Sequence, residues 1–164
     1  MFFLKKKWNF MNLFVIVGFL NATIAFAELA ILTTAPNVPP IIKRDKAETV
    51  VIKLQAKEYV GNLTKDVKYG FWSFGGTVPG PMARLRVGDS IEFHLSNEKN
   101  NIQPHNIDIH AVNGPGGGAL FTTVDPGSEK VFTFEAKAAG LFIYHCAAGF
   151  IVDHISNGMY GLVL

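Results

Sequence analysis

The sequence predicts an all-β fold, a sandwich or barrel of short strands, and three observations support this prediction. Apolar and polar residues alternate in several short runs, as they do in half-buried strands. Turn signals rich in Gly and Pro separate these runs, and no segment shows a convincing helical period. Glycine and phenylalanine are abundant, with 16 and 14 copies. We therefore expect one β-sandwich domain over residues 48–164.

The predicted strands follow one another through this domain. The first lies within residues 49–60, where one parity carries the apolar residues Val50, Ile52, Leu54 and Ala56 and the other carries the polar residues Lys53, Gln55 and Lys57. Further strands are expected in the stretches "VKYGFWSF", "SIEFHLSN", "HNIDIHAV", "KVFTFEA" and "GLFIYHC". Turns are expected at Gly75-Gly76, Pro79-Gly80-Pro81, Gly88-Asp89 and Asp125-Pro126-Gly127, and a long Gly-rich connection at "NGPGGGA".

The N-terminal segment predicts export from the cytoplasm. Basic residues Lys5–Lys7 precede an apolar stretch that ends in the small-x-small triplet Ala25-Phe26-Ala27, so residues 1–27 read as a cleaved secretory signal. An uncleaved membrane anchor is the alternative, although the apolar stretch is short for a span. We expect the mature protein in the bacterial periplasm. Residues 28–47 are punctuated by proline and predict an extended arm or linker.

The net charge and the cysteine content limit the classes of function that the sequence supports. The formal net charge is only +2, and nothing in the sequence indicates nucleic-acid binding. Cys146 is the only cysteine, and a lone cysteine in an exported protein cannot form an intramolecular disulfide. It is therefore either a small buried apolar residue or a ligand or nucleophile.

Strand parity divides the candidate ligands into two groups. Successive side chains of a strand point to opposite faces. His105 shares its parity with Ile107 and Ile109, which places it on the core side. His145 and Cys146 are neighbours and must point to opposite sides. The sequence therefore predicts an inner site and an outer site.

The inner site combines His105 and Cys146 with His154 and Met159 from the chain's final loop. Two imidazoles, one thiolate and a thioether suit copper that cycles between Cu(I) and Cu(II) in electron transfer. The alternative is that the two sulfur residues fill the core and that His154 is an ordinary loop residue.

The outer site draws on His110 and His145, with Asp108 on the same face. One peptide unit would connect it to the inner site, because His145 and Cys146 are adjacent. A carboxylate at this place could handle protons at a metal-bound substrate. A structural pair of surface histidines is the alternative. The fifth histidine, His94, is predicted to be a solvated surface residue without function.

Five stretches, "FWSFGGTVPGP", "HNIDIHA", "NGPGGGA", "YHCA" and "HISNGMYGLVL", resemble the N-terminal cupredoxin domain of copper-containing, nitric-oxide-forming nitrite reductases, within the multicopper oxidase superfamily. The resemblance implies a cupredoxin-like Greek-key β-sandwich or barrel. It also implies ligand roles: type 1 copper would be bound by His105, Cys146, His154 and Met159, and type 2 copper by His110 and His145. Asp108 would be the catalytic proton donor.

The resemblance further implies the reaction and its partners. Nitrite would be reduced to nitric oxide in denitrification, with electrons from a periplasmic cytochrome c or blue copper protein. Members of that family carry a second cupredoxin domain and form homotrimers. Leu164 lies in what would be the final strand of the first domain. We therefore expect the chain to be a piece of a longer protein, without a complete active site of its own.

Three alternatives differ from this interpretation. A stand-alone type 1 copper electron-transfer cupredoxin would explain the inner site but not the second histidine pair. A laccase-like trinuclear centre needs His-x-His pairs and a His-Cys-His stretch, whereas Ala147 follows Cys146 here. A copper store or chaperone would carry Met- or Cys-rich clusters, and the four methionines are scattered.

Overall fold

The computed structural model describes residues 27–164, so the predicted signal segment lies outside the described residues except for Ala27. The strands are β1 (Glu28–Leu29), β2 (Leu32–Thr33), β3 (Thr49–Thr64), β4 (Val67–Phe74), β5 (Met82–Ala83), β6 (Ser90–Asn97), β7 (Asp108–Ile109), β8 (Glu129–Glu135), β9 (Phe142–His145) and β10 (Tyr160–Val163). A 3-10 helix (Pro115–Gly118) and two short helices, α1 (Ala119–Thr122) and α2 (Ile151–Ser156), complete the fold.

The strands form two five-stranded sheets. In the first sheet the order is β1-β3-β6-β8, with β4 also paired to β3. In the second the order is β2-β5-β10-β9-β7. Parallel pairing of β3 with β6, and of β5 with β10, brings strands that are distant in sequence side by side. The predicted all-β sandwich is confirmed.

The alternating residues of the strands build one shared core. In β3 the side chains of Val50, Ile52, Leu54 and Ala56 are buried, while Lys53 and Gln55 between them are exposed. The second sheet contributes buried residues from β9 and β10 to the same cluster. Burying one such aliphatic side chain stabilises the fold by about 1.5–3 kcal/mol. The binary pattern therefore fixes which face of each strand points inward.

The predicted arm takes part in both sheets. Strand β1 pairs in parallel with β3, and β2 pairs antiparallel with β5. Near the end of the arm, the guanidinium of Arg44 forms two 2.6 Å hydrogen bonds to the fully buried carboxylate of Asp89. The carboxylate also accepts hydrogen bonds from the backbone N–H groups of Arg86 and Glu48. This ion pair ties the arm to the turn before β6.

Three local predictions need correction. The stretch expected as a strand from His105 is extended only over Asp108–Ile109, and His105 instead forms an isolated bridge with Val124. The Gly-rich connection contains the 3-10 helix and α1. His154 lies in helix α2 rather than in a loop. Such helices are too short to show a periodic pattern in sequence. Within residues 27–164, no helix has the length and apolar character needed to span a membrane.

Candidate metal centres

Three different elements deliver the side chains of the inner cluster, which comprises His105, Cys146 and His154. His105 is held by a pair of backbone hydrogen bonds to Val124, of 3.1 and 2.8 Å. Cys146 directly follows β9, and its buried position continues the inward parity of Tyr144. His154 reaches the same place from helix α2. The cluster therefore forms only when segments up to 49 residues apart in sequence fold together.

The ligand atoms of the inner cluster converge. The Nδ1 atoms of His105 and His154 are 3.2 Å apart, and the Cys146 Sγ lies 3.2 Å from His154 Nδ1 and 4.0 Å from His105 Nδ1. In tetrahedral zinc sites the bond lengths place neighbouring N and S atoms about 3.3–3.6 Å apart. The spacing therefore suits one metal ion bound by all three atoms.

Burial favours the neutral form of all three side chains in the inner cluster. His105 and Cys146 are fully buried and His154 is 6% exposed. Burial lowers the pKa of His105 to about 4 and also lowers the pKa of His154, so both imidazoles are neutral near pH 7. Burial raises the pKa of the Cys146 thiol. A bound metal would release that proton, because thiolates are the ligand form of cysteine.

Met159 and Asn106 adjoin the cysteine. Met159 is fully buried, and its backbone carbonyl accepts a 3.1 Å hydrogen bond from the N–H of Cys146. The backbone N–H of Asn106 lies 3.4 Å from the Cys146 Sγ. The side chain of Asn106 accepts a 2.7 Å hydrogen bond from the N–H of Ala147. Asn106 therefore connects the segment that carries His105 to the segment that carries Cys146.

The outer cluster, Asp108, His110 and His145, lies on the other side of β9. Asp108 and His145 are directly paired between β7 and β9, which puts their side chains on the same face of the sheet. The Nε2 atoms of His110 and His145 are 3.1 Å apart, and all three residues offer a ligand atom within 4.8 Å of the others. His110 is exposed, and the other two are half-buried. This cluster is accessible to solvent or to a partner.

One hydrogen bond links the two clusters and fixes a tautomer. The Nδ1 of His145 lies 3.1 Å from the backbone carbonyl of Cys146, which can only accept. His145 therefore carries its proton on Nδ1, and its Nε2 presents a lone pair towards His110. A different peptide unit, the one between His145 and Cys146, joins the inner and outer clusters covalently.

Several residues of these sites escaped the sequence analysis. A Cβ at Gly117 would meet the Asp108 carboxylate and the backbone of Ile109, so only glycine lets the Gly-rich segment approach this closely. Glu58 contacts His105, although it lies in a strand predicted only as a structural element. The sequence does contain a signal for this contact, because Glu58 shares the inward-facing parity of Ala56. A carboxylate at a core-facing position requires a hydrogen-bond donor or a cation beside it.

The prediction for His94 is wrong in one respect. Its side chain is 18% exposed and lies between two carboxylates, with Nδ1 2.7 Å from Glu129 and Nε2 2.7 Å from Glu92. The hydrogen bonds to Glu129 and then Glu92 raise the pKa of His94. It is therefore a paired residue rather than a freely solvated one.

Comparisons with known proteins identify the family of the chain. The sequence profile of a multicopper oxidase family matches residues 55–164. The chain belongs to the multicopper oxidase family. This multicopper oxidase chain is 46% identical over 135 residues to copper-containing nitrite reductases of Neisseria meningitidis and Neisseria gonorrhoeae. The matches cover 82% of the chain but only 35% and 34% of those relatives, so it spans about a third of their length.

Solved structures extend the likeness to the fold. The copper nitrite reductase of Nitrosomonas europaea is 38% identical with a TM-score of 0.66, covering 71% of this chain and 41% of that one. The copper-containing nitrite reductase of Thermus scotoductus is 31% identical with a TM-score of 0.62, covering 71% and 27%. The predicted cupredoxin-like fold and the predicted resemblance to copper nitrite reductases are confirmed.

Proposed function

We propose that this chain is the first cupredoxin domain of a copper-containing nitrite reductase, an oxidoreductase that forms nitric oxide. The observation that carries the proposal is the pair of clusters on opposite sides of β9, joined through the single peptide unit between His145 and Cys146. One buried soft-ligand cluster and one accessible histidine–carboxylate cluster fit an enzyme that receives electrons at one site and uses them at another.

The inner cluster would hold type 1 copper. His105 and His154 would supply the two nitrogen ligands, Cys146 the thiolate, and the buried Met159 a weak thioether ligand. Soft sulfur and imidazole ligands bind both Cu(I) and Cu(II). Burial of the cluster limits solvent rearrangement when the charge changes. An electron accepted here would have a covalent path through the Cys146–His145 peptide unit to the outer cluster.

The outer cluster would hold type 2 copper through His110 and His145. When bound, this copper would donate an electron to nitrite and act as a Lewis acid on it. In its protonated form the Asp108 carboxyl, which has an oxygen within 4.8 Å of a ligand nitrogen of each histidine, would donate a hydrogen bond to a nitrite oxygen and deliver that proton as the N–O bond breaks. One electron and two protons per nitrite yield nitric oxide and water.

The outer cluster also supports a larger assembly. A metal site normally takes more protein ligands than the two histidines that this cluster offers within residues 27–164. We infer that a second domain, across a subunit interface of a homotrimer, completes the site on the exposed side of His110. A periplasmic cytochrome c or blue copper protein would deliver the electrons in denitrification. A stand-alone electron carrier would leave the outer cluster without a role.

Substitution of Asp108 by Asn in the full-length protein tests the catalytic role. Asn keeps the shape of the side chain but cannot donate a carboxylic proton, so we expect kcat for nitrite reduction to fall about 10²–10⁴-fold. Copper content should be unchanged. Asp66→Asn is the matched control, because Asp66 is exposed in the turn between β3 and β4. Turnover by Asp108→Asn equal to that of Asp66→Asn would refute the proton-donor role.

A further inference from the structure

The hairpin formed by β3 and β4 contributes two side chains to the surroundings of the inner cluster. Glu58 of β3 and Trp72 of β4 are directly opposite each other in the antiparallel ladder. The next inward-facing pair along the ladder is Ala56 and Phe74, both fully buried in the core. Glu58 and Trp72 therefore continue the core face of the hairpin to the place where the histidines lie.

Glu58 is fixed against His105. One carboxylate oxygen, Oε1, lies 3.0 Å from the Nε2 of His105. The same oxygen accepts hydrogen bonds of 2.9 and 3.1 Å from the backbone N–H groups of Gln103 and Ile102. The backbone N–H of Glu58 in turn donates a 2.8 Å hydrogen bond to the side chain of Asn101. The segment before His105 therefore holds the carboxylate in place, and only 13% of its side chain is exposed.

This contact determines which nitrogen of His105 can bind a metal. A carboxylate accepts hydrogen bonds, so it favours the tautomer with the proton on Nε2. The Nδ1 lone pair then points at the cluster, where Nδ1 lies 3.2 Å from His154 Nδ1 and 4.0 Å from the Cys146 sulfur. A carboxylate behind a ligating histidine also raises the basicity of the ring.

Trp72 packs against both imidazoles. Its ring meets those of His105 and His154 edge-on, with centroid distances of 5.9 and 4.8 Å. Its backbone N–H donates a 3.0 Å hydrogen bond to the carbonyl of Asn157, the residue that directly follows helix α2. The hairpin is thereby tied to the helix that carries His154.

We propose that Glu58 is a positioning residue for the inner metal site: it selects the Nδ1-ligating tautomer of His105 and lowers the reduction potential of the bound ion. This inference rests on the proposed function, because it assumes copper in the inner cluster. A negative charge one imidazole away from the ion stabilises Cu(II) more than Cu(I). Trp72 restricts the rotation of both rings from the other strand of the hairpin.

The test compares Glu58→Gln with wild type and with Glu98→Gln. Glu98 is a matched control, because its carboxylate lies 3.8 Å from the ammonium of Lys57, which is a residue of the same hairpin. We expect Glu58→Gln to raise the reduction potential of the type 1 site and to weaken copper binding about 10–100-fold in a chelator competition. Glu98→Gln should change neither quantity. A potential and an affinity for Glu58→Gln equal to those of wild type would overturn the inference.

A second measurement does not depend on the variant or on copper. Nitrogen NMR of the metal-free wild-type protein should show His105 as the Nε2–H tautomer, and an Nδ1–H tautomer would overturn the inference. The two proposals can fail separately. If copper added to wild type produces no thiolate-to-copper absorption, the proposed function fails and this inference with it. If the absorption is present but insensitive to Glu58, only this inference fails.

Discussion

At the scale of single residues, adjacency in a strand explains how one short segment serves two clusters. His145 and Cys146 point to opposite sides of β9 because the side-chain period of a strand is two. The thiol is fully buried, whereas the imidazole is half-buried and pairs with Asp108 across the sheet. Inserting one residue between them would reverse one of these directions. The adjacency of His145 and Cys146 is therefore required by the geometry of the strand rather than by the chemistry of either side chain.

His94 gives a prediction at the same scale. Glu129 and Glu92 raise its pKa in the folded state, so the folded protein binds the proton more tightly than the unfolded chain. The resulting stabilisation is fully present below the unfolded pKa of about 6.5 and is lost as pH rises through the folded pKa. The residues paired with His94 on the neighbouring strands are Lys53 of β3 and Val131 of β8.

The measurement is the free energy of unfolding of wild type and of His94→Gln from about pH 5 to about pH 9. This range brackets the pKa of histidine in the unfolded chain. Wild type should be the more stable protein at the acidic end, and the difference should shrink with increasing pH. A difference that stays constant across this range would show that the two carboxylates do not act through the charge of His94.

At the scale of elements, the arm and the turn before β6 depend on one ion pair. Asp89 is fully buried and accepts two 2.6 Å hydrogen bonds from Arg44, which holds the pKa of this carboxyl below its usual range although burial alone would raise it. Strands β1 and β2 are only two residues long. Their few ladder bonds alone would hold the arm weakly, so Arg44 is its main polar anchor.

Arg44→Met should therefore destabilise the fold by about 3–5 kcal/mol, because it leaves a buried carboxylate without its cation. The lower end of this range is expected, since 14% of the Arg44 side chain is exposed. Lys43→Met is the control, as Lys43 is exposed next to Arg44. Urea unfolding monitored by circular dichroism gives both values. Equal stabilities of the two variants would mean that the ion pair does not anchor the arm.

At the scale of the whole molecule, local periodicity was the part of the structure that sequence could predict. The apolar faces of β3 and β6 and the opposite directions of His145 and Cys146 follow from alternation alone. The parallel pairing of β3 with β6, and the arm's pairing with both sheets, depend on contacts between distant segments. Alternation does not specify partners. The contact of Glu58 with His105 belongs to the same class, since it joins residues 47 positions apart.

The inner cluster makes stability depend on the whole fold and on its metal. His105, Cys146 and His154 come from three segments, and the unfolded chain does not hold them together. A ligand that binds only the folded state stabilises it by RT ln(1 + [L]/Kd), about 2.7 kcal/mol at a hundredfold excess over Kd.

Copper should therefore raise the unfolding temperature, and a chelator should reverse the change. Cys146→Ala should lose the intense visible absorption and most of this gain. His94→Gln, which alters a histidine remote from both clusters, should keep the gain. Differential scanning calorimetry with and without copper measures it. An equal copper-dependent rise in wild type and Cys146→Ala would place the stabilising ion outside the inner cluster.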